Sequence, residues 1–132
     1  MKKLLTIILL IASANSYAEW TQLGYGNEVT QYIDIATIRR NGNFVKMWDL
    51  KEEETVQNFS GGSYLSGVYQ LEYDCKEERS RILAFSWFSG KMGNGKVVYS
   101  NSDPGKWFPI QPGSFGESLW KIACAHILHM TK

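Results

Sequence analysis

From Tyr64 to Ser89 the chain alternates as a pair of β-strands does. Leu65, Tyr69, Leu71, Tyr73 and Cys75 fall on one parity, and Ser66, Gln70, Glu72 and Asp74 on the other. Side chains alternate across a strand, so the first set forms an apolar face that ends in a sulfur. Lys76-Glu77-Glu78 follows as a charged turn. Beyond it Leu83, Phe85 and Trp87 share a parity, which a three-residue turn places beside Tyr69, Leu71 and Tyr73. Ile82 and Phe88 then point to the other face.

The flanking pattern adds further strands and one helix. Val29 to Ile33 is β-rich, Asp34 marks a turn, and Ile35 to Arg39 is one further turn or a short strand. Asn41-Gly42 is a hairpin signal. Phe44 to Lys51 alternates as a strand, with Glu52-Glu53-Glu54 as its solvated end and residues 59–63 as a loop. Lys91 to Gly95 is a turn, Lys96 to Ser100 a strand, and Trp107 to Ile110 a short extended piece. Ser114 and Glu117 have the capping-box spacing, which predicts a helix from there to about His129. Trp120, Cys124, Ile127 and Leu128 lie on one stripe of that helix. Strands followed by one helix predict an α+β fold, an antiparallel β-sheet of about five to six strands with one C-terminal α-helix packed on it.

Cys75 and Cys124 are the only cysteines. One closes the apolar parity of a strand and the other lies within the apolar stripe of the helix. A disulfide between them would tie the helix to the hairpin. Closing a loop of about fifty residues is worth roughly 4 kcal/mol in the chain-entropy model.

The N-terminus changes the cellular setting. Lys2 and Lys3 precede an apolar run from Leu4 to Ala12, and Ser16 and Ala18 are the small residues a signal peptidase needs. Residues 1–18 therefore read as a signal peptide, and residues 19–132 as the mature domain, periplasmic or secreted. The apolar run is shorter than the twenty or so residues of a membrane span. No cysteine near the cut offers a site for lipid, so no membrane anchor is expected after cleavage. An oxidising compartment agrees with the disulfide. Loss of Lys2 and Lys3 leaves 12 basic residues against 13 acidic, a net charge of −1. A near-neutral domain has no general attraction for nucleic acid or anionic lipid.

Candidate chemistry is sparse. Gly90 to Lys96 has the spacing of a phosphate loop, but Val97 replaces its Ser or Thr and a strand replaces its helix. His126 and His129 share a helix face with no third ligand signposted, so no metal and no cofactor is expected. Nothing assembles an acid, a base and a nucleophile, and no catalytic residue is assigned. Five Trp, seven Tyr and six Phe are many for this length. Trp48, Trp87 and Trp120 suit the core. Trp20 and Trp107, in edge or loop contexts, are the candidate exposed binding aromatics.

Several pieces, in order, resemble the surface-adhesin protein E family of Gram-negative bacteria. They are Tyr32-Ile33-Asp34 followed by Ile38, the strand with Trp48, the run from Ser66 to Cys75, the turn at Met92 to Gly95, and the block from Pro112 to Cys124. The resemblance covers nearly all of the mature chain. It implies a small antiparallel sheet, a C-terminal helix and a disulfide. It also implies a binding role, since the family includes an outer-membrane lipoprotein that binds host extracellular proteins such as vitronectin and laminin. This chain departs from that lipoprotein in having no lipid-attachment cysteine and no Lys or Arg between Glu52 and Cys75. The expectation is a non-enzymatic exported binding module with protein partners. The alternative is a binder of small molecules or envelope glycans through exposed aromatics.

Overall fold

The structure, a computed structural model, describes residues 18–130, with side chains described as far as residue 125. Almost all of the expected signal peptide and the side chains of His126 and His129 lie outside the described residues.

Six strands run in sequence order across one antiparallel sheet: β1 (Thr21–Gly26), β2 (Val29–Asn41), β3 (Phe44–Phe59), β4 (Gly62–Asp74), β5 (Arg79–Phe88) and β6 (Val97–Asn101). A two-residue strand, β7 (Phe108–Pro109), pairs with the start of β5, so β6 and β7 share one edge. The helix α1 (Phe115–Met130) follows. The expected fold class is what forms, with longer strands. Gly42, at a φ of +63°, makes the predicted Asn-Gly turn between β2 and β3. Two apparent breaks are bulges within strands rather than ends. Asp34 opens one in β2, where the register shifts between Asp34 and Arg39. The acidic run opens the other in β3, between Glu52 and Gln57. Propensity predicts a strand end at residues 52–54 and a loop at 59–63; pairing with β4 carries β3 to Phe59 and leaves only Ser60-Gly61 as a turn.

The helix covers one end of one sheet face. Val45 and Met47 from β3, Tyr73 from β4 and Ile33 and Ile38 from β2 are buried beneath Leu119 and Ala123. Ser114 Oγ accepts from Glu117 N at 3.1 Å, which is the predicted N-cap bond. Phe115 lies against β1, where Gly24 and Gly26 leave room: a Cβ on Gly24 would meet the ring at 3.2 Å. Cys75 and Cys124 are joined, with Cα atoms 5.7 Å apart, inside the range a bridge permits. Trp120 Nε1 donates to Asp74 O at 2.9 Å and secures the helix beside the bridge.

The other face has its own cover. The turn from Gly90 to Lys96 folds over Leu50, which is fully buried. Ser66 Oγ donates to Gly90 O at 2.6 Å and accepts from Gly93 N at 2.9 Å. Gly93 has φ +71°, and a Cβ there would lie 3.4 Å from Val68. The sequence that resembled a phosphate loop is thus a structural clamp on the back of the sheet.

Candidate functional site

Beyond the helix, the same sheet face carries a cluster of six aromatic rings. The register builds it. Tyr69 of β4 stands opposite Phe85 of β5, and Gly67 opposite Trp87, which faces Tyr99 of β6. A bulge at Gln70/Leu71 sets this register, so Ile82 and not Leu83 lies opposite Leu71. This corrects the simple alternation, which sent Ile82 to the other face. The long β3 brings Phe59 to the cluster, and Tyr64 joins from the start of β4.

The rings hold one another. Tyr64 stacks on Trp87 with centroids 4.4 Å apart and planes 17° apart. Phe59 meets Trp87 edge-on at 5.1 Å, and Tyr99 lies 5.3 Å from Trp87. Tyr69 stacks on Phe85 at 5.8 Å. Tyr69 OH accepts from Trp87 Nε1 at 3.0 Å. Gly67 is a steric requirement here, because a Cβ would lie 2.7 Å from the Tyr69 ring. Burial pushes the Tyr69 hydroxyl up to about 12, with the Trp87 bond opposing. It stays protonated at any ordinary pH. The Lys51 ammonium sits 5.2 Å from the Tyr69 ring centroid. Tyr99 is 42% exposed, and the other five rings are half-buried. The helix packs on β2, β3 and β4 and leaves β5 and β6 uncovered among the described residues. The result is a rigid aromatic surface of the kind that contributes contact area at low entropic cost.

Between the helix and this cluster lies a buried polar seam. Gln31 Nε2 donates to Asp49 Oδ1 at 3.0 Å. Asp49 Oδ2, Gln31 Oε1 and Tyr73 OH have no hydrogen-bond partner among the described residues. Burial pushes the Asp49 carboxyl up to about 7, only partly countered by the Gln31 bond and the nearby Lys51. Phe115, Leu119, Tyr69 and Ile82 line the small cavity, about 100 Å³, beside it. Glu53, on the outer side of Lys51, is also raised, by burial first and by Glu28 as a like charge, with Lys51 opposing. Alternation puts Asp49 on the parity of Val45 and Met47 but does not say which parity of this strand is buried, so the seam emerges only from the packing.

The two predicted binding aromatics sit elsewhere and apart. Trp107 is half-buried near β7. The Arg79 and Arg81 guanidiniums lie 4.6 Å and 4.7 Å from its ring centroid, and Phe44 lies 5.7 Å away. Those cations are themselves paired, Arg79 with Asp74 at 3.0 Å and Arg81 with Glu72 at 2.8 Å. Trp20, also half-buried, lines a groove on the back face together with Trp48. Trp48 and Trp87, expected in the core, are half-exposed at the groove and in the ring cluster. Parity identifies their faces but not whether anything covers them. Among the described residues, no group of three His, Cys, Asp or Glu is placed to hold a metal. Both sulfurs are in the disulfide.

Comparison with known proteins gives a consistent picture. The family model described as surface-adhesin protein E matches residues 20–125. No curated protein matches. Among solved structures, crystal form II of Haemophilus influenzae protein E aligns at a TM-score of 0.64 and 12% identity, over 83% of this chain and 90% of that one. A second Haemophilus influenzae protein E structure aligns at 0.63 and 12% identity, over 83% and 86%. Protein E from the non-typeable form aligns at 0.61 and 12% identity, over 88% and 82%. At that identity the likeness is one of fold.

Proposed function

The chain belongs to the surface-adhesin protein E family, and from that premise we propose that it is an exported, non-enzymatic binding module whose uncovered aromatic cluster contacts a protein partner. Residues 1–18 act as the signal peptide, and the mature domain from Glu19 works in the periplasm or outside the cell. The observation that carries this reading is the cluster itself: six mutually packed rings on the half of the sheet that the helix leaves open. Clustered, pre-organised Tyr and Trp are the side chains that dominate protein interfaces. Host extracellular proteins are the partner class that family membership suggests.

Charge shapes the expected affinity. With a mature net charge of −1 and no basic residue between Glu52 and Cys75, steering toward an acidic partner patch is weak. Binding to vitronectin should be weak and little affected by salt. Surface plasmon resonance of the exported protein on immobilised vitronectin and laminin, at two ionic strengths, tests this. A complex that Tyr99→Ala weakens by about tenfold or more would support the aromatic surface as the contact. Tight, strongly salt-sensitive binding that ignores Tyr99→Ala would place the contact on charged residues elsewhere.

A further inference from the structure

The back of the sheet carries a second aromatic feature that the ring cluster does not involve. In the uncleaved chain a groove of about 850 Å³ is lined by Trp20 and Trp48, with Asp34, Arg39 and Gln70 beside them and Ala18 and Glu19 among its lining residues. The register explains the grouping: Asp34 pairs with Trp48, and Trp48 with Gln70, across three adjacent strands. The β2 bulge shapes the wall. Thr37 Oγ1 donates to Asp34 O at 2.6 Å and accepts from Trp48 N at 2.9 Å, which fixes the bulge against β3.

The groove differs from the ring cluster in how its groups are committed. Trp87 stacks on Tyr64 and spends its N–H on Tyr69. Trp120 spends its N–H on Asp74 O. Among the described residues, Trp20 and Trp48 stack on no other ring, and their indole N–H groups have no protein acceptor. The Gln70 carboxamide likewise makes no hydrogen bond among the described residues. The charges are the reverse. Asp34 Oδ1 accepts from Ala36 N at 3.2 Å, and Arg39 Nη1 donates to Ala36 O at 2.9 Å and Ile38 O at 2.8 Å. They line the groove with one charge of each sign. Cleavage after Ala18 would set the new terminal amine on Glu19 itself. The groove therefore offers two free indole rings, two free N–H donors and one free amide, with its charges internally balanced.

We propose that this groove binds a neutral, β-linked, gluco-configured saccharide against Trp20 and Trp48. Such a sugar has axial C–H groups on both ring faces to lie on indoles, and hydroxyls or an acetamide for Gln70 and the indole N–H groups. It carries no charge that the balanced groove would have to answer. A strongly anionic or cationic ligand would meet the opposite and the like charge together. This site is independent of the protein-contact reading, since it lies on the other face of the sheet.

The test is a ¹⁵N–¹H titration of the exported protein with N,N′-diacetylchitobiose and with cellobiose, with glycerol as the hydroxyl control. The expected result is saturable movement of the Trp20 and Trp48 indole signals at millimolar sugar, with the Trp87 and Trp120 indoles unmoved. Trp20→Ala, which lies outside the sheet, should weaken binding by about threefold to tenfold, the scale of one aromatic contact. Gln70→Ala should weaken the acetylated sugar and provides a second variant if the first perturbs the fold. No saturable shift with either sugar, movement centred on Trp87, or an equal response to glycerol would overturn the proposal. Loss of vitronectin or laminin binding in Tyr99→Ala with unchanged sugar shifts would separate the two surfaces.

Discussion

At one end of the helix-side sheet face, Val45, Met47 and Tyr73 lie fully buried beneath Leu119 and Ala123. At the other end, Phe85, Trp87 and Tyr99 lie beneath nothing among the described residues. Both ends are built by the same alternation, on neighbouring strands of one sheet. They differ in what closes them. The covered end is closed by tertiary packing, a disulfide and the Trp120 hydrogen bond. The open end is closed laterally, by rings stacked on rings. Apolar alternation thus specifies a face, while the length and placement of one helix decide how much of that face becomes core. The remainder is available for binding without any change of sequence pattern.

The largest expected effect breaks the covered end alone. Cys124→Ala should lower stability by about 2–5 kcal/mol. Helix amides should lose hydrogen-exchange protection first, because packing and the Trp120 hydrogen bond are then what hold α1 to the sheet. Amides of β4 and β5 at the ring cluster should keep theirs. Equal loss at both ends would show that the two halves unfold as one unit. A thiol assay on the denatured wild-type protein should find no free thiol.

Asp49 sits at the boundary, and its titration reports on both ends. Its folded value of about 7 exceeds the ordinary carboxylate value because burial disfavours the charged form. Between those two values the folded state holds a proton that the unfolded chain releases. Stability therefore falls as pH rises through that window, and the full cost is present above it. Asp49→Asn removes the cost while an oxygen remains to accept from Gln31. Urea unfolding at pH 8 should show a gain of roughly 1–4 kcal/mol, shrinking toward nothing near pH 4. A variant destabilised at both pH values would mean that the carboxyl has a partner essential to the fold.

Gly67→Ala breaks the open end. The new Cβ would lie 2.7 Å from the Tyr69 ring, which must move and release Trp87 Nε1. Overpacking of this kind costs about 1–3 kcal/mol. The Trp87 indole N–H should lose its hydrogen-bonded chemical shift, while the disulfide stays as it is. Unchanged Trp87 resonances would show that the ring cluster is looser than its packing implies.

How much of this was legible depended on the range of the interaction. The hairpin, the cap at Ser114 and the cysteine pairing rest on local periodicity and a few unambiguous residues, and they could be read directly. The bulges in β2 and β3 could not, because Asp34 and the acidic run look like strand ends until a neighbouring strand continues the pairing. The Leu71–Ile82 register needed the β4–β5 bulge. Local alternation points Trp87 to the core; only the reach of the helix shows that it is uncovered. The edge context of Trp20 predicts a partly exposed position, and it lines a groove; Trp48 lines the same groove although its strand pattern suits the core. Trp107 is occupied by Arg79 and Arg81, a contact between segments far apart in sequence that no local pattern encodes.

The smallest effect sharpens the boundary itself. Ser114 Oγ satisfies Glu117 N, one of the N–H groups that a helix start leaves without a partner. Ser114→Ala should cost about 1 kcal/mol, and Ser114→Asp should restore it, since a carboxylate caps and suits the positive end of the helix. The consequence specific to this fold lies one turn away. Phe115 and Leu119 wall the cavity beside Asp49, and Phe115 is the first residue released when the helix start frays. Fraying admits water to the seam and weakens the desolvation that raises Asp49. The Asp49 midpoint, followed by carboxyl ¹³C shifts, should therefore fall from about 7 toward the ordinary value in Ser114→Ala and return in Ser114→Asp. A midpoint that stays put while stability drops would mean that the sheet alone, through Tyr69, Leu71 and Ile82, keeps the carboxyl dry.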